Sequence, residues 1–111
     1  MITVQSTQVI QNAPASSTIE LPVYTGTAES MTICTSHMAV DDAVAVYPIV
    51  NGEIVTNPVA VLDLETLETV NPISKNGCYA VPCAYGYDGV MISIDTGTGG
   101  TTVFVKSCRT A

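Results

Sequence analysis

The residues of this sequence that could do chemistry are one histidine, four cysteines and ten carboxylates. His37 is three positions from Cys34, and that spacing along a strand puts two side chains on opposite faces, so it does not predict a thiol–imidazole pair. Cys78 and Cys83 are the only cysteines close in sequence, whereas structural zinc sites use two close pairs. We therefore expect His37 to be a surface or loop histidine. We expect Cys34, Cys78, Cys83 and Cys108 to be free, mostly buried thiols that hold no metal.

The carboxylates do not form a catalytic pattern either. Asp41 and Asp42 suit a turn. Asp63 and Glu65 alternate with leucines, which is typical of a solvated strand face. The sequence contains no nucleophile elbow, phosphate-binding loop, dinucleotide fingerprint or calcium-binding run of aspartates. We expect a protein that is not an enzyme and needs no cofactor.

The run GTGG, residues 97–100, has two opposite interpretations. A phosphate-binding loop needs a helix after the glycines and usually a lysine, but the residues that follow are β-branched and favour a strand. Glycines also close hairpins, because they accept positive φ. A hairpin would pair Ile94 with Val103 and Ile92 with Val105, which puts both apolar rows on one side of a sheet. The sequence favours the hairpin.

The same hairpin register would place a second row on the opposite side of the sheet. It pairs Met91 with Lys106 and Ser93 with Phe104, the single phenylalanine of the chain. Two roles for Phe104 remain open: it lies beneath a second layer, or it belongs to a contact surface.

Composition predicts one all-β domain. Hydrophobic residues make up 47% of the 111 residues, and Val, Ile and Thr, which favour strands, dominate. The formal net charge of −7 disfavours nucleic acids and anionic membranes, which attract Lys and Arg. The first residues lack the basic and apolar segments of a signal peptide, and no stretch could span a membrane. We expect a complete cytoplasmic gene product.

Alternation and turn residues give the expected strands. Residues 18–24 alternate, and Pro22 on their polar side indicates an edge strand or a bulge. Leu67 breaks the alternation of residues 61–70, which predicts a bulge or turn near Thr66, with a short helix as the competing interpretation. Asn51-Gly52 is a strong hairpin signal. A two-residue loop there pairs Val50 with Glu53, Ile49 with Ile54 and Tyr47 with Thr56.

Three segments, SSTIELPVYTG, VNGEIVTNP and NGCYAVPCAYGYDGVMISIDTGTGGTTVFVKS, resemble small β-sandwich virion proteins of tailed bacteriophages, including capsid decoration proteins. The resemblance covers most of residues 17–107. It implies a protein that folds in the host cytoplasm without a cofactor and stabilises the virion by binding the major capsid protein or another virion protein. Two alternatives remain: another virion component, such as a head–tail connector, tail or fibre protein, and a glycan-binding module that uses exposed tyrosines.

The expected architecture is a single antiparallel β-sandwich, jelly-roll-like or immunoglobulin-like, over residues 17–111. Residues 1–16 would form an extended N-terminal arm and loop, able to add a strand to a neighbouring subunit. Self-association stays open. The residues expected to take part in interactions are Ile2, Val4, Val9, Ile10, Met91, Phe104, Tyr85 and Tyr87.

Overall fold

The computed structural model describes residues 2–110 as a sandwich of two antiparallel sheets. Its strands are β1 (Ile2–Ile10), β2 (Thr18–Tyr24), β3 (Ser30–Ser36), β4 (Ala43–Val50), β5 (Glu53–Ile54), β6 (Val61–Asp63), β7 (Thr69–Val70), β8 (Gly77–Ala80), β9 (Gly89–Asp95) and β10 (Thr102–Thr110). A 3-10 turn spans Ala84–Gly86. The strand order is β1-β10-β3-β8-β6-β7 in the six-stranded sheet and β2-β9-β4-β5 in the four-stranded sheet. The expected all-β sandwich is confirmed.

The core lies between the inward faces of the two sheets. Its strand residues are Met31, Ile33, Val61, Tyr79, Val103 and Val105 from the six-stranded sheet, and Val23, Val44, Val46, Val90, Ile92 and Ile94 from the four-stranded sheet. They recur at every second position, because successive side chains of a strand point to opposite faces. Burial of each Val or Ile contributes about 1.5–3 kcal/mol of transfer free energy. The hydrophobic effect therefore holds the sheets face to face.

The predicted edge strand at residues 18–24 and the predicted hairpin at Asn51-Gly52 are both confirmed, except for one residue pair of the hairpin. β2 is an edge strand that carries Pro22. Asn51 and Gly52 both have positive φ, 52° and 79°, and close a hairpin whose register is Ile49 with Ile54 and Val50 with Glu53. The predicted pairing of Tyr47 with Thr56 is wrong, because β5 ends at Ile54.

The hairpin predicted at residues 97–100 is wrong. β9 pairs with β2 and β4, whereas β10 pairs with β1 and β3. Residues 96–101, here called the crossover loop, therefore carry the chain from one sheet to the other. Ile94 and Val103 are both buried, but they face the core from opposite layers. The predicted pairs Ile92–Val105, Met91–Lys106 and Ser93–Phe104 are wrong for the same reason.

The segment from residue 61 to residue 70 is part strand and part turn. Residues 64–66 form the expected turn, and Leu67 has a positive φ of 62°. The prediction that Asp63 lies on a solvated strand face is wrong. Its side chain is buried, as is that of Val61, whereas Leu64 is exposed. The Oδ1 atom of Asp63 accepts a hydrogen bond of 2.9 Å from the N–H of Glu65. The buried carboxylate is thus hydrogen-bonded at the start of the turn. This bond offsets the free-energy cost of removing the carboxylate from water.

The N-terminal segment forms the extended strand β1 and pairs with β10 of the same chain. The register runs from Ile2 with Thr110 to Gln8 with Phe104, and a bulge precedes the pairing of Ile10 with Val103. β1 is therefore an edge of the six-stranded sheet. Within residues 2–110 there is no helix long and apolar enough to cross a bilayer.

Candidate interaction surface

The outward side of the six-stranded sheet brings several predicted interaction residues together. Directly opposite residues in an antiparallel pair share a face. The register aligns Gln8, Phe104, Cys34 and Cys78 in one row. The surface, here called the neutral face, consists of the outward positions Ile2, Val4, Ser6, Gln8, Phe104, Lys106, Cys108, Ser30, Thr32, Cys34, Ser36, Cys78, Ala80 and Leu62.

The neutral face carries no carboxylate, although the chain has ten acidic residues. Among the described strands of this sheet, the single acidic residue is Asp63, and it is buried on the inward side. Lys106 is the charged residue of the neutral face. Interface centres are depleted in charged groups, because each one must be desolvated. This side of the molecule can therefore be covered by a partner at low electrostatic cost.

The four sheet edges are protected to different degrees. β5 and β7 are only two residues long, and β2 carries Pro22 and Glu20. Short strands, prolines and charges are the usual means of blocking edge-to-edge pairing. β1 has nine residues and neither a proline nor a charged residue. Its free edge can accept a further strand.

The eight predicted interaction residues fall into several environments. Ile2, Val4 and Phe104 lie on the neutral face, where the first two are exposed and Phe104 is half-buried. Val9 and Ile10 pack against the core. Met91 points outward from the four-stranded sheet, but only 6% of it is exposed. The structure therefore brings three of the eight together.

The two predicted tyrosines differ in exposure. Tyr85 lies in the 3-10 turn with its side chain exposed. Tyr87 is half-buried and packs against the core, and this burial raises the pKa of its hydroxyl. Stacking on a sugar ring requires an accessible aromatic face. Of this pair, only Tyr85 presents a largely exposed ring.

A buried carboxylate fixes the crossover loop, and the sequence analysis missed its role. Asp42 is only 2% exposed. Its Oδ1 atom accepts N–H bonds from Gly97 at 3.0 Å and from Gly99 at 3.3 Å, and its Oδ2 atom accepts the Thr101 hydroxyl at 2.7 Å. The Thr101 bond, followed by N–H bonds from Ala39, Gly99 and Gly97, lowers the pKa of Asp42 against the opposing effect of burial.

The sequence contained a signal for these hydrogen bonds between Asp42 and the crossover loop, here called the Asp42 clamp. A glycine-rich loop leaves N–H groups that need acceptors, and adjacent aspartates in a second loop can supply them. Asp41 takes part as well, since its carboxylate accepts hydrogen bonds of 3.1 Å from both the N–H and the hydroxyl of Thr98. A Cβ atom on Gly97 would collide with Asp41.

An open cleft of about 450 Å³ lies where β1 ends and β10 begins. It is lined by Gln11, Asn12, His37, Gly100 and Thr102. The His37 imidazole hydrogen-bonds the hydroxyl of Ser36 at 3.3 Å. Neither a carboxylate nor a thiol lines the cleft, so its lining offers hydrogen bonds to a polar ligand but no nucleophile–base pair.

The cysteines are free, as expected, but the prediction that they are mostly buried is wrong. Cys78 and Cys83 are exposed, and Cys34 and Cys108 are half-buried. Cys34 and Cys78 are opposite each other on β3 and β8, with their Sγ atoms 3.2 Å apart. In residues 2–110 no group of three or more His, Cys, Asp or Glu side chains is placed to hold a metal ion.

Comparison by sequence identifies no relatives of this chain. No protein-family model matches it, and no curated protein matches it.

Two solved structures share the fold. One is the SPBc2 prophage-derived protein YomS, with a TM-score of 0.80 and 17% identity over 98% of this chain and 96% of that chain. The other is the PBSX exported protein XepA, with a TM-score of 0.78 and 15% identity over 97% of this chain. The match covers 38% of XepA, so the chain corresponds to one part of that protein. At these identities the likeness establishes the sandwich fold alone.

Proposed function

We propose that this chain is a non-enzymatic structural protein of a bacteriophage virion that binds the surface of the assembled capsid and stabilises it. The observation that carries the proposal is the neutral face, a carboxylate-free sheet surface on a chain with a net charge of −7. The fold shared with two prophage-derived proteins supports the association with a phage.

The partner surface follows from the composition of the neutral face. Valine, isoleucine, leucine and phenylalanine side chains alternate there with hydroxyl, amide and thiol groups. A mixed surface of this kind suits a protein partner, because apolar contacts supply affinity and neutral polar groups fix orientation. A capsid subunit offers such a surface repeatedly, so binding would be stoichiometric with the shell.

The β1 edge supplies the second part of the attachment. An extended segment of a capsid subunit would add to β1 as a further strand through main-chain hydrogen bonds. Val4 then has a central role, because it lies on the unprotected strand and, at 68% exposure, on the neutral face. A partner that covers the edge would bury this side chain.

Stabilisation follows from linkage. A protein that binds the assembled shell but not its separated subunits shifts the equilibrium toward the shell. The proposal requires no catalytic group. The location that it implies is the virion, and the partner is the major capsid protein or another virion protein.

The test is co-sedimentation of the purified protein with phage capsids that lack it. We expect stoichiometric binding and a shell that resists heat better. Val4→Glu should weaken binding about 30-fold or more, because a carboxylate would be desolvated at the interface. Val40→Glu is the matched control, since Val40 is 99% exposed in the loop between β3 and β4 and is not one of the neutral-face positions. It should bind normally.

The results separate the competing roles. Equal loss of binding in the two variants would contradict a specific role for the neutral face. Failure of the unmodified protein to bind any shell would overturn the decoration role and favour a connector, tail or fibre protein. Saturable sugar binding that is lost in Tyr85→Ala would favour a glycan-binding module instead.

A further inference from the structure

Cys34 and Cys78 are positioned to form a disulfide across two neighbouring strands. They are register partners on β3 and β8, and their Sγ atoms are 3.2 Å apart. Opposite residues in an antiparallel pair have Cα atoms about 4.5–5.5 Å apart, inside the range of about 4.4–6.8 Å that disulfides span. Closing the bond therefore requires small side-chain rotations and no movement of a strand.

The two thiols differ in access to solvent. Cys78 is exposed, whereas Cys34 is half-buried. Burial, followed by the nearby Cys78, raises the pKa of Cys34 from 9.0 to about 11. A thiol reacts as its thiolate, and an incoming oxidant reaches the exposed sulfur first. Cys78 is thus suited to attack an external disulfide, and Cys34 to resolve the product.

We propose that Cys34 and Cys78 form a reversible disulfide when the folded protein meets a small-molecule disulfide such as oxidised glutathione. The Cys78 thiolate attacks one glutathione sulfur, breaks the S–S bond and releases one glutathione, which leaves a mixed disulfide on Cys78. Cys34 then loses its proton, attacks the Sγ atom of Cys78 and releases the second glutathione. Two protein thiols give up two electrons and two protons, and oxidised glutathione becomes two glutathione thiols.

The other two cysteines provide an internal contrast. Cys108 is opposite Val4 on one side and Ser30 on the other, so no cysteine is its register partner. Cys83 lies outside the strands, just before the 3-10 turn. Exposure alone would make Cys83 as reactive as Cys78 toward a small disulfide. Only the Cys34–Cys78 pair has the second thiol within reach.

The bond would act on the centre of the neutral face. Cys34 is opposite Phe104 as well as Cys78, so the disulfide would fix the row that contains the aromatic ring. Glutathione keeps such thiols reduced in a cytoplasm. In a virion, a location that rests on the proposed function, the bond would form after release from the host. The chemistry itself does not depend on that function.

The experiment uses the folded full-length chain alone, in buffers of oxidised and reduced glutathione. Free thiols are trapped by alkylation, and the products are read by intact mass and peptide mapping. We expect the unmodified chain to give a linked Cys34–Cys78 peptide, and any glutathione that it retains to be on the other two cysteines. Reduced glutathione should reverse the bond. The control Cys83→Ser/Cys108→Ser, which lacks the other two thiols, should form the same link and lose two hydrogen atoms in intact mass, and Cys34→Ser should stop at glutathione-modified Cys78.

Three results would overturn the proposal. The first is an unmodified chain in which Cys34 and Cys78 both stay as free thiols under oxidising conditions and are therefore both alkylated. The second is a chain that stays as the mixed disulfide on Cys78. The third is a protein disulfide that joins Cys34 or Cys78 to Cys83 or Cys108. Because no capsid is present, none of these results bears on the proposed function.

Discussion

The two outward faces of the sandwich differ in charge. The four-stranded sheet presents Glu20 and Asp95 to solvent beside Pro22, whereas the neutral face of the six-stranded sheet has no carboxylate. Both faces belong to the same acidic chain, so overall composition cannot account for the difference. A surface that must stay in water gains from charge, and a surface that is to be covered is hindered by it. The contrast therefore identifies the face that suits a partner.

The sheet edges show the same contrast. The edge strand β2 of the four-stranded sheet carries a proline and a glutamate, and the edge strand β1 of the six-stranded sheet carries neither. Proline and charge thus block strand addition at β2, beside the face that carries carboxylates, and neither does so at β1, beside the neutral face. Face and edge together form one continuous region, the one that we propose contacts the capsid.

Removing the Asp42 carboxylate should have the largest effect, because it fixes the loop that joins the two sheets. Asp42→Ala would leave the N–H groups of Gly97 and Gly99 and the hydroxyl of Thr101 without their acceptor. We expect a loss of about 3 kcal/mol in the free energy of unfolding, measured by urea denaturation. Asp41→Ala, at an exposed neighbour, should cost less than about 1 kcal/mol. Equal losses would contradict the clamp.

A charge placed on each face in turn compares the two directly. Phe104→Glu introduces a carboxylate on the neutral face, and Tyr24→Glu introduces one at an exposed, outward position of the four-stranded sheet. We expect Phe104→Glu to weaken capsid binding by about 2 kcal/mol, or roughly 30-fold. Tyr24→Glu should change it less than about threefold. A reversed order, with both variants folded by circular dichroism, would move the contact surface to the other sheet.

Low pH should reduce the stability of the fold by protonating Asp42. It should not change the charge of the neutral face, which has no carboxylate. The folded-state pKa of Asp42 is lowered, so its contribution is complete above the unfolded pKa of about 4 and is lost as the pH falls through the folded value. We expect stability to decline below about pH 4, with a smaller decline in Asp42→Asn, as measured by thermal melts at a series of pH values. An identical decline in the variant would assign acid lability to other groups.

Alternation along the chain was enough to predict which side of each long strand is buried. Ile92, Ile94, Val103 and Val105 all face the core as expected, and Asn51-Gly52 determined its own hairpin through positive φ. The sheet to which a strand belongs could not be predicted in this way. Two apolar rows meet equally well as neighbours in one sheet or as opposing layers of a sandwich, and only the partners on either side distinguish these arrangements.

The buried carboxylates were missed for a different reason. Asp42 and Asp63 are both polar residues in turn-forming sequences. The glycine-rich loop indicates N–H groups that need acceptors, but which carboxylates become buried among N–H groups depends on contacts that form only in the folded chain. The sequence could not show that Val4 and Phe104, two residues predicted to take part in interactions, lie on one face, because their common face depends on the pairing of β1 with β10. Such non-local pairing is not encoded in the spacing of either strand.

The pairing of β1 with β10 also determines how this domain can be joined to others. Ile2 is opposite Thr110, so the described chain enters and leaves the fold at the same corner. A longer polypeptide could therefore accommodate the domain between two short linkers. By the same geometry, a peptide bridge between the two ends, with new termini opened at Asn51-Gly52, would give a circular permutant that keeps both sheets.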